Sequence, residues 1–346
     1  MEGLRAYAVV LTFCVHFFGA WLVNVRGIDP SNVAPQQVPS NTDFVLAWLQ
    51  MSPHGVYLFF ILSGFLICRI VGNARTFSYP RFLWRRFWRI YPAFIMALAL
   101  GLLVYCSHPA GPSFSWTEIG ANLLLLNGIP QLGVRPILNQ TWSLFYEVVF
   151  YLTFPALLLL RPVGVWRTAW GLSLVGVAVV YLPFAFGWGS AVFLMFFAGA
   201  TVARFDDNSL TAFAQRMPQW LVVTLYCGVT SAIAFRLVDE HTSIWLYSFA
   251  GAVLMIEVCY GRGWLNRLFS WRPIRRIGNV SYSLFLVHTI PIYLLINFGP
   301  DWISSRGLVR AFFGAILALL SSIVLAGALF LIAERPYFAA KRKKQP

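Results

Sequence analysis

Residues 5–25 read Arg5-Ala6-Tyr7-Ala8-Val9-Val10-Leu11-Thr12-Phe13-Cys14-Val15-His16-Phe17-Phe18-Gly19-Ala20-Trp21-Leu22-Val23-Asn24-Val25, and this stretch decides the fold. As a helix it is long enough to cross the roughly 30 Å hydrocarbon core of a bilayer. In lipid only helices and closed barrels satisfy every backbone N–H and C=O. An unbroken apolar run without period-two alternation selects the helix. The same stretch carries chemistry. Arg5 and His16 are eleven residues apart, a rise of about 16.5 Å and about three full turns, so both side chains fall on one face. Arg5 is expected at the membrane surface and His16 roughly half a bilayer deeper. An ionisable group at that depth is costly, faces the bundle interior and reads as functional by default. A histidine hydrogen-bonded to a neighbouring helix is the plainer alternative.

The pattern recurs along the chain. Of its 346 residues, 59% are hydrophobic and 11% charged, where a soluble domain carries about a quarter charged residues. Membrane-length apolar stretches fall near 5–25, 54–72, 88–106, 141–160, 168–186, 188–204, 219–235, 243–260, 280–298 and 308–333. The expected fold is an all-α polytopic membrane protein, a single bundle of about ten transmembrane helices forming one domain over residues 1–346. The formal charge of +14 raises nucleic acid as a partner, and its placement argues against it. With the N-terminus inside, only Arg26, Arg135, Arg236, Arg306 and Arg310 lie outside, and the other 21 of the 26 Lys and Arg are cytoplasmic. This positive-inside bias places both termini in the cytoplasm, and the expected location is the inner (cytoplasmic) membrane. The five cysteines show no CxxC spacing and read as packing residues. Neither a metal site nor a permanently bound cofactor is expected. The first span lacks the A-x-A cleavage site of a signal peptide.

Two external stretches, 26–53 and 107–140, are long and proline-bearing. The first suits an ordered lid or a flexible flap. The second contains a short apolar piece, Ile119 to Leu126, too short to span and read as a re-entrant or interfacial helix. The internal segments 73–87 and 261–279 are arginine-rich.

Five further clusters could carry chemistry. Ser63 and Gly64 lie mid-span in Gly55–Leu66, where small residues also permit close helix packing. Arg86 and Arg89, three apart on one helical face, stand at the cytoplasmic entry to the third span. A guanidinium pair suits bidentate phosphate binding, and a topology anchor at lipid headgroups is the alternative. Trp142, Ser143 and Glu147 open the fourth span. Glu147 lies about 9 Å and His16 about 13 Å below the same external surface, so the two suggest a carboxylate orienting a general-base imidazole. A structural ion pair or a proton relay would look the same. The other intramembrane acid, Glu257, falls near a cytoplasmic end and reads as hydrated. His288 is a second intramembrane histidine, read as a structural hydrogen-bonding residue, and Glu334-Arg335-Pro336 reads as a helix terminus tied to the cytoplasmic interface.

In this order the clusters resemble the membrane-bound acyltransferase 3 family, which O-acylates sugars of lipopolysaccharide, exopolysaccharide and peptidoglycan. Glu2-Gly3-Leu4-Arg5 leading to His16 resembles its opening D-G-L-R…H, with Glu for Asp. Phe59-Phe60-Ile61-Leu62-Ser63-Gly64-Phe65-Leu66 is similar to its F-F-x-x-S-G-F-L segment. Arg86-Phe87-Trp88-Arg89-Ile90-Tyr91-Pro92 resembles R-x-x-R-I-x-P, and Trp142-Ser143-Leu144 with Glu147 and Phe150-Tyr151 resembles W-S-L-x-x-E-x-x-F-Y. Ser281-Tyr282 to His288, and Glu334-Arg335-Pro336, resemble its S-Y…L-x-H and E-x-P endings. The acid often found before the Phe-Phe pair is Tyr57 here, and Val148-Val149 replace the second half of the usual E-E-Q.

The resemblance implies a stand-alone O-acyltransferase, without the SGNH hydrolase-like domain of some relatives. It implies transfer of an acyl group, acetyl foremost, from cytoplasmic acyl-CoA to a hydroxyl of an extracytoplasmic or lipid-linked glycan. Arg5, Arg86 and Arg89 would hold the nucleotide end of the donor, and the 16.5 Å rise from Arg5 to His16 is of the order of an extended pantetheine arm. His16 would act as general base or carry the acyl group itself, with Glu147 orienting it or stabilising its charge. A multi-pass transporter of a small solute or glycan precursor, using a buried His/Glu pair, is the alternative from another class.

Overall fold

The computed structural model describes all residues except 30–32, 52–54, 74–76, 109–110, 161–191, 300–306 and 343–346, together with the side chains of 156–160 and 340–342. The described residues are mostly helical, and there is no strand among them. The helices are α1 (Glu2–Trp21), α2 (Asn41–Met51), α3 (Gly55–Gly72), α4 (Tyr79–Cys106), α5 (Trp116–Leu123), α6 (Trp142–Leu160), α7 (Val192–Ala203) and α8 (Asp207–Arg216). They continue as α9 (Gln219–Ala234), α10 (Glu240–Tyr260), α11 (Trp264–Phe269), α12 (Arg272–Asn279), α13 (Ser281–Val287), α14 (Thr289–Phe298), α15 (Leu308–Leu329) and α16 (Arg335–Arg342).

Among the described residues about six segments are long and apolar enough to cross a membrane: Glu2–Arg26, Asn41–Gly72, Tyr79–Cys106, Glu240–Tyr260, Ser281–Phe298 and Leu308–Ala339. The stretch expected at 168–186 lies outside the described residues. The described part of 188–204 is the 12-residue α7, and 219–235 holds the 16-residue α9, which passes as a span only when α8 and α9 are counted as one broken segment. The chain divides into two compact units: residues 1–58 with 214–328, and residues 59–213 with 329–346.

In the first unit α1 is central, with α2, α12, α13 and α14 against it. Gly3 faces the backbone carbonyl of Phe269, and Gly278 faces that of Glu2; a Cβ at either position would collide with main chain. Glu2 closes the contact by an ion pair to Arg275 at 2.7 Å. Farther along, Phe13, Phe17 and Trp21 of α1 pack with Leu46 of α2 and with Ala311, Ala315 and Ala318 of α15. Lipid tails are as apolar as these side chains, so it is large-against-small fit that holds such helices together.

After Trp21 the helix widens into a π turn, Leu22–Arg26, which ends at Gly27 in the left-handed region (φ 67°). This aims Arg26 back at α2, where Nε and Nη2 donate to the two carboxylate oxygens of Asp43 at 2.5 and 2.6 Å. Asp43 is fully buried. Its carboxylate also accepts from the Ser40 hydroxyl at 2.6 Å, while the Asp43 N–H donates to that hydroxyl. This reciprocal cap starts α2, so this part of the 26–53 stretch is ordered helix. In the same unit Glu257 is buried, against the expectation of a hydrated end. The last turn of α10 packs on the start of α9, where Gln219 donates to Glu257 Oε1 at 2.5 Å and accepts from the Leu265 N–H at 3.2 Å.

In the second unit α3 and α7 meet backbone to backbone. Gly64 faces the carbonyl of Phe196 and Gly199 faces that of Ile61, the small-residue contact that lets membrane helices approach closely. Phe150 of α6 stacks on Phe196 at 4.4 Å between ring centroids. The 107–140 stretch folds around α5, whose N-cap Ser115 forms a capping box with Glu118. Asn122 donates to the Arg135 carbonyl and accepts from the Ile137 N–H, and Arg135 pairs with Glu118 at 3.3 Å. The helix ends at Leu123, Leu124 caps it, and Leu125 turns left-handed (φ 60°). The short-helix reading of Ile119–Leu126 therefore holds to within a few residues.

Candidate active site

In each unit some of the ionisable and hydroxyl-bearing residues singled out from the sequence come together. In the first unit α1 is an unbroken helix from Glu2 to Trp21, so Arg5 and His16 keep their rise of about 16.5 Å. Arg5 lies one turn into the helix, partly exposed. The Nδ1 of His16 stands 2.7 Å from Nε2 of His288, with ring centroids 4.9 Å apart. His288 occupies the junction between α13 and α14, where the 288–292 main-chain bond is stretched to 3.5 Å. Its ring is fully buried, against Phe13 and Phe285. Its Nδ1 faces the carbonyls of Phe285 (2.8 Å) and Leu284 (3.2 Å). His16 is partly exposed, and among the described residues its Nε2 has no hydrogen-bond partner.

In the second unit Glu147 of α6 is the focus. Its Oε1 accepts from the Ser63 hydroxyl of α3 at 3.0 Å and from the hydroxyl of Tyr151, one turn along α6. Two O–H donors on one oxygen offset much of the cost of a carboxylate at this depth. The guanidinium of Arg86 lies over the ring of Tyr151, 5.0 Å from its centroid, and over Phe82 at 5.2 Å, a cation–π arrangement. Arg89 follows Arg86 by three residues on α4. Arg86, Tyr151, Glu147 and Ser63 thus form one chain of contacts linking α4, α6 and α3. Trp142 packs edge-on to Phe60 and Tyr146. Ser143 donates to the Gln140 carbonyl at 3.0 Å, a local tie at the start of α6.

The structure therefore brings Ser63 to Glu147 and His288 to His16, pairings that sequence spacing did not specify. Tyr151 was visible only as part of a motif, although its position four residues after Glu147 puts both on one helical face. Among the described residues no group of three or more His, Cys, Asp or Glu is placed to hold a metal ion.

A helical chain with several membrane-length segments, carrying a half-buried histidine pair and a hydroxyl-bound carboxylate, has the make-up of a multi-pass membrane protein with polar chemistry inside. Residues 1–327 match the family described as an acyltransferase domain, and the chain belongs to that family, the acyltransferase 3 family. Its relatives include the peptidoglycan O-acetyltransferase OatA of Listeria monocytogenes, 24% identical over 83% of this chain and 48% of the relative. A putative peptidoglycan O-acetyltransferase of Bacillus subtilis, YrhL, is 26% identical over 85% and 48%. The acyltransferase MdmB of Streptomyces mycarofaciens is 25% identical over 100% of this chain and 93% of its own length. The chain thus spans about half the length of the two peptidoglycan relatives. No solved structure matches it.

Proposed function

We propose that this chain is an integral-membrane O-acyltransferase that moves an acyl group, acetyl foremost, from cytoplasmic acyl-CoA to a hydroxyl of an extracytoplasmic or lipid-linked glycan. The observation that carries the reading is His16, held by a second histidine one face along an unbroken helix from Arg5, in a chain of the acyltransferase family. The positive-inside bias supports cytoplasmic termini, which puts Arg5 on the donor's side of the membrane.

In the first unit Arg5 meets a donor phosphate, and the thioester reaches inward along α1 towards His16. In the second unit Arg86 and Arg89 are further phosphate contacts, charge-assisted and at the inner face. His16 takes the proton of the acceptor hydroxyl, whose oxygen bonds to the thioester carbonyl carbon. The carbon–sulfur bond then breaks, and the departing thiolate recovers the proton. Of the two roles read for Glu147, orienting the imidazole or stabilising its charge, the second is proposed here, a carboxylate acting on transfer rather than on donor binding.

The test is direct. Purified protein in lipid nanodiscs with isotope-labelled acetyl-CoA is expected to release free CoA and pass label to an added glycan or lipid-linked sugar. Surface glycans of cells with and without the protein, compared by mass spectrometry, identify the acceptor. An active preparation of fold-intact protein that neither binds nor consumes acyl-CoA would end this reading.

A further inference from the structure

We infer that His288 is a positioning residue for His16: it fixes the tautomer of His16 that leaves the lone pair on Nε2, and so makes Nε2 the atom that receives the acceptor's proton. The inference rests on the general-base reading above and deepens it.

Carbonyl oxygens only accept hydrogen bonds. Since Nδ1 of His288 faces the carbonyls of Phe285 and Leu284, that nitrogen carries its hydrogen. In a neutral imidazole the other nitrogen is then an acceptor, so Nε2 of His288 offers a lone pair to its neighbour. The neighbour, 2.7 Å away, is Nδ1 of His16, which must therefore donate. A neutral His16 with its hydrogen on Nδ1 has its lone pair on Nε2, the nitrogen that is unpartnered among the described residues. His288 is neutral because it is fully buried and its hydrogen-bond partners are two carbonyls and an imidazole. No carboxylate pairs with it among the described residues, and an unpaired charge there would carry the full desolvation cost.

The arrangement also serves the charged stage. When Nε2 of His16 takes the hydroxyl proton, the ring becomes an imidazolium that still donates from Nδ1 to His288, now through a stronger charge-assisted bond. The proton later leaves from Nε2 to the thiolate, and the Nδ1 hydrogen stays in place throughout. Orientation that other enzymes draw from a carboxylate comes here from a second imidazole anchored to main chain. The sequence could not show this, because the two histidines are 272 residues apart.

The experiment uses the full chain in nanodiscs with nitrogen-15-labelled histidine, as wild type, His288→Gln and His288→Leu. A glutamine carbonyl can accept from Nδ1 of His16, whereas leucine cannot. Solid-state spectra of the His16 ring report which nitrogen is protonated, independently of activity. Nε2 is expected to be unprotonated in wild type and His288→Gln, and the tautomers mixed in His288→Leu. Leucine is expected to lower kcat about tenfold to a hundredfold with little change in KM for acetyl-CoA, in line with the loss of an orienting partner behind a reactive group, and glutamine to restore most of it. A wild-type His16 protonated on Nε2, wild-type kcat in folded His288→Leu, or a folded glutamine variant no better than leucine would each overturn the inference. Should the leucine variant not fold, the wild-type and glutamine spectra decide alone. Undiminished transfer by His16→Ala would instead remove the general-base reading and leave the measured tautomer untouched.

Discussion

Glu147→Gln separates a chemical role for the carboxylate from a structural one. Both bonds described for Glu147 arrive at one oxygen, from Ser63 and Tyr151. A glutamine carbonyl at that place accepts both. What changes is that two charge-assisted bonds become neutral ones, a loss of about 1 kcal/mol each. Release of a costly intramembrane charge acts in the other direction. The net effect on folding is therefore expected to stay within about 2 kcal/mol. Glu147→Leu differs, because it strands two hydroxyl donors at about 1–3 kcal/mol apiece. Thermal unfolding in detergent should thus rank wild type close to Gln, with Leu clearly lower. Turnover per folded molecule, at saturating acetyl-CoA, should fall steeply in Gln as well as Leu, because the charge is gone in both. Wild-type turnover in a folded Gln variant would refute the reasoning and leave Glu147 as a pin between α3 and α6.

His16→Ala should insert and fold yet lose about 10²–10⁴-fold in transfer, the usual cost of removing a general base; product formation by mass spectrometry checks it. Arg86→Ala and Arg89→Ala should raise KM for acyl-CoA more than they alter acceptor dependence, and unchanged donor binding in detergent would make both arginines topology anchors. Arg26→Ala leaves the fully buried Asp43 without its bidentate partner, at about 3–5 kcal/mol; hydrogen exchange should show α2 loosened, and the double variant Arg26→Met with Asp43→Leu should recover much of it. The Glu118 carboxyl is held below its ordinary range, first by the Ser115 N–H, then by the Ser115 hydroxyl and Arg135. A depressed folded-state value means the stabilisation is present above the ordinary carboxylate range and is lost as pH falls through the folded-state value. Exchange protection at Asn122 and Ile137 should decline over that acid window and return on neutralisation.

Local spacing made part of the architecture legible. Arg5 and His16 share one helix, and their relation survives in α1 because nothing interrupts the first twenty residues. The cap at Ser40 was equally local, but prolines on both sides hid the helix that follows. Hydropathy located the apolar stretches and missed where they break. The 280–298 stretch is interrupted at His288, and 219–235 yields only a short helix. Composition cannot register such breaks, since a histidine at a junction and a histidine within a helix weigh the same. Glu257 misled for a related reason: closeness to a span's end suggests water, whereas Gln219 and the turn after α10 close over it. The pairings that define the candidate site bridge 272 residues (His16 with His288) and 84 residues (Ser63 with Glu147), and no periodicity reaches that far.

The length of α4 has a mechanical meaning. Its 28 residues measure about 42 Å, against a hydrocarbon layer of about 30 Å. Arg81, Arg85, Arg86 and Arg89 stand towards one end, where Trp84 and Trp88 are also exposed, while Leu103 at the other end is 69% exposed. Sinking would drag guanidinium groups into the hydrocarbon, and rising would lift bare leucine into water. The helix works as a ruler read against the bilayer itself, and Arg86, clasped over Tyr151, marks the same height on α6. A membrane that thins or thickens therefore strains the seating of this helix, at a cost of fractions of a kcal/mol per Å of mismatch.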